Sequence, residues 1–159
     1  MSTQGAGTAP RCIPIEILTD VVRDRAIQAG EVVRSLRVFT KVKEVDRCHA
    51  DLIQARVEAR DDAWDVTALL RIAVRVDTEH GDRQLRTIAF YRGRIPFPVE
   101  GDWHGHHHHM EARVKIRDLE CNAGVDPDCK VVVVTVTFLV AVYALEDEII
   151  TVCRLHEPR

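Results

Sequence analysis

Apolar and polar residues alternate along much of the chain with a period of two. Ile53, Ala55, Val57 and Ala59 alternate with Gln54, Arg56, Glu58 and Arg60. Val66, Ala68, Leu70, Ile72, Val74 and Val76 extend the pattern over a longer run. Met110, Ala112, Val114 and Ile116 alternate with Glu111, Arg113, Lys115 and Arg117. Successive side chains of a strand point to opposite faces, so each segment predicts a strand with one buried and one wet face. Asp61-Asp62, Glu79-His80-Gly81-Asp82 and Asn122-Ala123-Gly124 break the pattern with residues that favour chain reversal.

Residues 131–145 differ, because apolar side chains fall on both faces. Val131, Val133, Leu139, Ala141 and Tyr143 share one face, and Val132, Val134, Val136, Phe138, Val140 and Val142 the other. Extended, this run spans roughly 50 Å, longer than most strands, which predicts a bend, a bulge or a crossing between two sheets. So apolar a run must lie between layers or against another subunit. Nearer the N-terminus, Ile15 and Ile17 alternate, as do Leu36, Val38, Thr40 and Val42. Residues 21–29 fit either a helical turn or two, stopped by Gly30, or extended structure; extended structure is the favoured reading.

These elements predict an all-β fold, a β-sandwich or flattened barrel of about eight mostly antiparallel strands. Residues 1–12 read as a flexible tail and residues 13–159 as a single β-domain. Ile13, Ile15 and Ile17 read as an extended arm able to add a strand to a neighbour's sheet. The alternative is the first strand of the chain's own sheet.

Composition adds exclusions. A chain of 159 residues suits one domain with its own core. Its 22 basic and 25 acidic residues give a formal charge of −3, which offers no electrostatic reason to expect nucleic acid or an anionic membrane as partner. The first residues lack the charged start and apolar run of a signal peptide, and no apolar run suits a membrane-spanning helix. A chain made and kept inside a cell, or released by lysis, is the expectation.

Candidate chemistry is sparse. Ser2 and Ser35 are the only serines, neither in a nucleophile elbow, and no glycine-rich phosphate loop occurs, so no enzymatic activity and no cofactor are expected. Cys48 and His49 would point to opposite faces of a strand and cannot easily pair. Asp61-Asp62-Asp65 and Glu146-Asp147-Glu148 read as solvated turns. His104, His106, His107, His108 and His109 form the loudest local feature. Imidazoles bind zinc, nickel or copper, but an extended run presents only two per face, so a closed site would need ligands from elsewhere. The alternatives are a solvated loop or a purification sequence. Five cysteines leave at least one thiol without an internal partner. Cys121 and Cys129 flank a reversal that can bring them together as a hairpin disulfide, and Cys12 is a candidate crosslink between subunits.

Residues 65–152 read together carry a resemblance. A Val- and Leu-rich strand leads through a turn to Phe90-Tyr91, then Ile95-Pro96-Phe97, then Gly105 and Met110. A charged strand, a long Val-rich strand and Ile149-Ile150-Thr151-Val152 follow. This order resembles the SPOCS-type domain of spore-forming Firmicutes, found in spore coat and coat-morphogenesis proteins. In that family the Gly and Met are usually adjacent, whereas four histidines separate them here. The resemblance implies a structural role in spore-surface assembly, in the spore coat or mother-cell cytoplasm, or at an extracellular surface after release. It implies copies of the chain itself and other coat proteins as partners, and supplies no catalytic residues.

Overall fold

The computed structural model describes residues 10–97 and 111–156. The period of two becomes six long strands: β1 (Arg11–Arg37), β2 (Val42–Arg60), β3 (Ala63–Thr78), β4 (Gly81–Pro96), β5 (Glu111–Val125) and β6 (Val131–His156). They form two antiparallel three-stranded sheets, ordered β1-β6-β5 and β2-β3-β4. The all-β expectation holds, but with six strands among the described residues rather than about eight, and with no closed barrel. The strands are fewer because they are longer. Residues 21–29 continue β1 without a helical turn, and residues 149–152 continue β6 instead of forming a separate closing strand.

β1 and β6 each contribute to two compact units. The larger comprises Val22–Leu145, and the described part of the smaller is residues 10–21 with 146–156.

The core of the larger unit lies between the central strands of its two sheets. Trp64, Val66, Ala68, Leu70, Ile72, Val74 and Val76 of β3 are buried at every second position. Val132, Val134, Val136, Phe138, Val140 and Val142 of β6 are buried likewise. Each buried aliphatic side chain contributes roughly 1.5–3 kcal/mol relative to exposure, so these two rows dominate the fold's stability. The apolar run of residues 131–145 is therefore covered by a facing layer on one of its two faces. Its even face is enclosed, while Val133 and Leu139 on the other face are 36% and 37% exposed.

Phe138 ties the layers together. A bulge in β5 between Arg117 and Glu120, with Asp118 at φ 54°, lies opposite it. Its ring meets Tyr91 of the other sheet edge-on, with centroids 4.9 Å apart. The same ring covers Gly30 on β1, where a Cβ would lie 2.8 Å from Phe138 Cζ. Gly30 is thus no helix stop; it leaves the space an aromatic ring fills.

Two of the three expected reversals form. Asp61 takes φ 54° in the β2–β3 hairpin, a left-handed conformation that aspartate tolerates better than most residues. Glu79-His80 connect β3 to β4, with Gly81 at φ 100° and the Thr78 hydroxyl donating to the Gly81 carbonyl at 2.7 Å. The third reversal lies further on. Asn122, Ala123 and Gly124 pair with Thr135, Val134 and Val133 within the β5–β6 ladder. The chain turns at Asp126, whose Oδ1 accepts from the backbone N–H groups of Lys130 and Val131, both at 3.0 Å.

Burial raises the Tyr91 phenol above its ordinary pKa of 10.0, because the buried ring resists ionisation. The folded state therefore holds this proton more tightly than the unfolded chain does. That stabilisation is complete below the unfolded value and is lost as pH rises through the folded one. Urea midpoints taken between pH 8 and pH 11.5 should fall more steeply for the native chain than for Tyr91→Phe (about 10 being the onset). Parallel curves would remove Tyr91 as the cause.

Candidate functional site

Four of the five cysteines pair internally. Cys48 of β2 bonds to Cys121 of β5 with their Cα atoms 5.5 Å apart, joining the two sheets at their margins. Cys12 of β1 bonds to Cys153 of β6 with Cα atoms 5.2 Å apart, inside the smaller unit. The expected Cys121–Cys129 hairpin bond is corrected by this pairing, and so is an intersubunit role for Cys12. Cys121 lies opposite Val136, well inside the ladder, whereas Cys129 sits in the turn at φ 56°. Four residues of strand, roughly 13 Å, separate Cys121 from the ladder's end at Val125. Cys129 remains the free thiol that the odd count required.

Cys48 and His49 do face opposite ways: Cys48 is in its disulfide, and His49 Nε2 lies 2.8 Å from Asp51 Oδ1. Asp61 and Asp62 are exposed at the β2–β3 turn, where Arg94 reaches Asp62 at 3.2 Å. Glu146, Asp147 and Glu148 are corrected from a turn to part of strand β6. His104, His106, His107, His108 and His109 lie outside the described residues, as do Gly105 and Met110. Among the described residues, no group of three or more His, Cys, Asp or Glu gathers as a metal site.

Two surfaces stand out instead. The first is the outer face of β2-β3-β4, where strand register assembles rows across the sheet. They run Arg56–Thr67–Arg92, Gln54–Leu69–Phe90, Asp51–Arg71–Ile88, His49–Ala73–Arg86 and Arg47–Arg75–Gln84. These five central rows hold six arginines against one aspartate, a formal +5 with His neutral, and the flanking rows Glu44–Asp77–Asp82, Glu58–Asp65–Arg94 and Arg60–Ala63–Pro96 bring the outer face as a whole to +2. Arg47 stands directly opposite Arg75, a like-charge neighbour that costs stability on a sheet surface. Arg75 is relieved by Asp82 at 2.8 Å, whose hydrogen bond and charge raise the guanidinium pKa above its ordinary value. Within this basic field, Leu69, Ile88 and Phe90 make an apolar stripe, with Ile88 57% and Phe90 62% exposed. An open depression beside Phe90 is lined by Arg56, Asp65, Thr67 and Arg92.

The second surface is the smaller unit. Its strands, β1 residues 11–21 and β6 residues 146–156, form a ribbon closed by Cys12–Cys153. With Cys12 opposite Cys153, strict alternation puts Ile13, Ile15 and Ile17 on the face of Ile150 and Val152. Ile13, Ile15, Ile17 and Ile150 are all at least 36% exposed, and Leu18, Ile149 and Leu155 are exposed on the other face. The ribbon's charges are Glu16, Asp20, Glu146, Asp147 and Glu148 against Arg11 and Arg154, a formal −3. Ile13, Ile15 and Ile17 are thus not a free arm. They belong to a strand paired with the chain's own C-terminal segment.

The arginine face was missed from the sequence, although its signal is present. Arginine recurs at even spacing in 92–94 and 71–75 and at wider spacing elsewhere. Only strand pairing brings these residues into common rows. The architecture defines an all-β protein built from two packed three-stranded sheets, stapled at one seam, with a disulfide-closed ribbon as a second unit. No family model, curated protein or solved structure matches the chain.

Proposed function

We propose that this chain is a structural protein that assembles with copies of itself through its β-surfaces, as a component of a spore coat or a comparable surface layer. The observation that carries this reading is the ribbon. A two-stranded ribbon is marginal in water unless further strands or an apolar layer cover it. This one exposes aliphatic side chains on both faces, which marks a surface for association. Its disulfide holds the two strands in register and leaves those faces bare.

Further support comes from the edges. β1 spans 27 residues at the margin of its sheet, a long template for pairing with another chain. Two internal disulfides suit a protein that functions in an oxidising setting, as a surface layer is. The likeness of residues 65–152 to SPOCS-type domains points the same way, towards coat proteins as neighbours.

Light scattering and electron microscopy of the native chain test this directly. The expected result is oligomers or fibres that grow with concentration. The double variant Ile15→Lys with Ile17→Lys should shift the particles to monomer while leaving the larger unit folded by circular dichroism. A native chain that stays monomeric at high concentration overturns the proposal.

A further inference from the structure

The fixed cations in the five central rows of the β2-β3-β4 outer face are all arginine: Arg47, Arg56, Arg71, Arg75, Arg86 and Arg92. Asp82 neutralises Arg75, and Asp51, the one carboxylate within these rows, lies 2.8 Å from His49. Among the described residues, Arg47, Arg71 and Arg92 pair with no carboxylate. The charge of −3 for the whole chain gives no reason to expect an anionic polymer as partner, but this face does. We infer that it binds single-stranded nucleic acid, with a base stacked on Phe90 and the phosphates drawn along the arginines.

Three features favour this occupant. A guanidinium is planar, forks onto phosphate oxygens and stacks on flat rings, whereas an ammonium is a point charge; no lysine stands in these rows. Phe90 is 62% exposed, and its row lies between Arg56–Thr67–Arg92 and Asp51–Arg71–Ile88. A base on its ring therefore has guanidinium groups one row away on either side, about 7 Å along the strands. The depression beside Phe90 carries Arg56, Thr67 and Arg92, and a second depression at the far end of the rows carries Arg47, His49 and Arg75. An unpaired strand presents bare base faces to such a platform, while a duplex keeps its bases stacked inside. A run of carboxylate side chains offers the charge but nothing planar for Phe90.

Carboxylates mark the limits of the platform. The row Glu44–Asp77–Asp82 closes one end. Glu58 and Asp65 stand at the other, where Asp65 lies 3.8 Å from Arg60 and 3.9 Å from Arg94. Between these limits the rows run from Thr67 to Arg75 on β3, roughly 27 Å, which suits a handful of nucleotides. The whole platform lies in the larger unit. The arginines also gain from the contact, because Arg47, opposite Arg75 in the sheet, is relieved when phosphate covers it.

Fluorescence anisotropy of a labelled oligothymidylate of about twelve nucleotides, titrated with the full chain, tests the inference. Log affinity against log salt should fall with a slope of about −4 if six phosphates are neutralised. The variant Arg56→Gln, Arg71→Gln and Arg92→Gln should reduce that slope by about 2 and weaken binding roughly a hundredfold near 0.1 M salt. The control Arg25→Gln, Arg37→Gln and Lys115→Gln removes the same charge from β1 and β5 and should change affinity less than about threefold. Phe90→Ala should weaken binding about tenfold with the salt slope unchanged, and Phe90→Trp should bind as the native chain does. Circular dichroism verifies that each variant is folded. The native chain's own salt slope tests the inference without any variant. Absence of binding by the native chain at micromolar protein and low salt overturns it. So does a control that loses as much as the arginine variant, or a Phe90→Ala chain that binds like the native one. Displacement of the oligonucleotide by an equal concentration of a polyglutamate peptide also overturns it, in favour of an acidic protein partner. Assembly is read by light scattering without nucleic acid, so each of these failures leaves the self-assembly reading standing.

Discussion

Replacing both Cys48 and Cys121 with serine should lower the free energy of unfolding by about 4 kcal/mol. The bond spans 73 residues, and a cross-link over a segment of that length removes much of the unfolded chain's conformational freedom. Its position adds to the effect. It connects β2 to β5, which belong to different sheets and are not neighbours in either ladder. Without it, this seam is held by the packing of part-buried side chains such as Val57, Ala112 and Val114. Urea denaturation of the double variant against the native chain, both without reductant, measures the difference. Cys129→Ser is the control, since Cys129 has no disulfide partner, and should change stability by less than about 0.5 kcal/mol. A double-variant loss below about 1 kcal/mol would mean that packing alone secures the seam.

The core was legible because its signal is local. Val66 through Val76 and the even positions from 132 to 142 announce a buried face by alternation alone, and those residues form the core. Strand number was less legible, because alternation reports that a segment is extended and not where it ends. β1 runs through Gly30, whose lack of a side chain accommodates the Phe138 ring contributed by a strand far along the chain. The third reversal was misplaced for a related reason. Asn122 and Gly124 have turn chemistry, but Asp126 closes the turn with two backbone hydrogen bonds.

Long-range pairing was the least legible level. Turn residues between Cys121 and Cys129 suggest a hairpin bond, yet the partner of Cys121 lies 73 residues away. The arginine face has the same origin. A formal charge of −3 for the whole chain hides the +5 of five central rows, which come together only when β2, β3 and β4 are laid side by side. The apolar, extended character of Ile13, Ile15 and Ile17 shows in the alternation, whereas their pairing with the far end of the chain is not encoded in either segment alone.

Adjacent leucines on β3 should respond to truncation in opposite ways. Leu70 is fully buried at the centre of β3, paired with Leu52 on one side and Ala89 on the other. Leu69 points outward between Gln54 and Phe90. Leu70→Ala removes buried methyl groups and leaves a cavity between layers that the rigid ladder cannot close, at a cost of about 3–4 kcal/mol. Leu69→Ala removes a part-exposed side chain from a face that water already reaches, at a cost of about 1 kcal/mol. Urea denaturation of the two variants compares them within one protein and one strand. Leu69→Ala should therefore leave the unfolding midpoint close to that of the native chain, whereas Leu70→Ala should lower it clearly. Equal unfolding costs at the two positions would contradict the inward and outward faces of β3, on which the arginine rows depend.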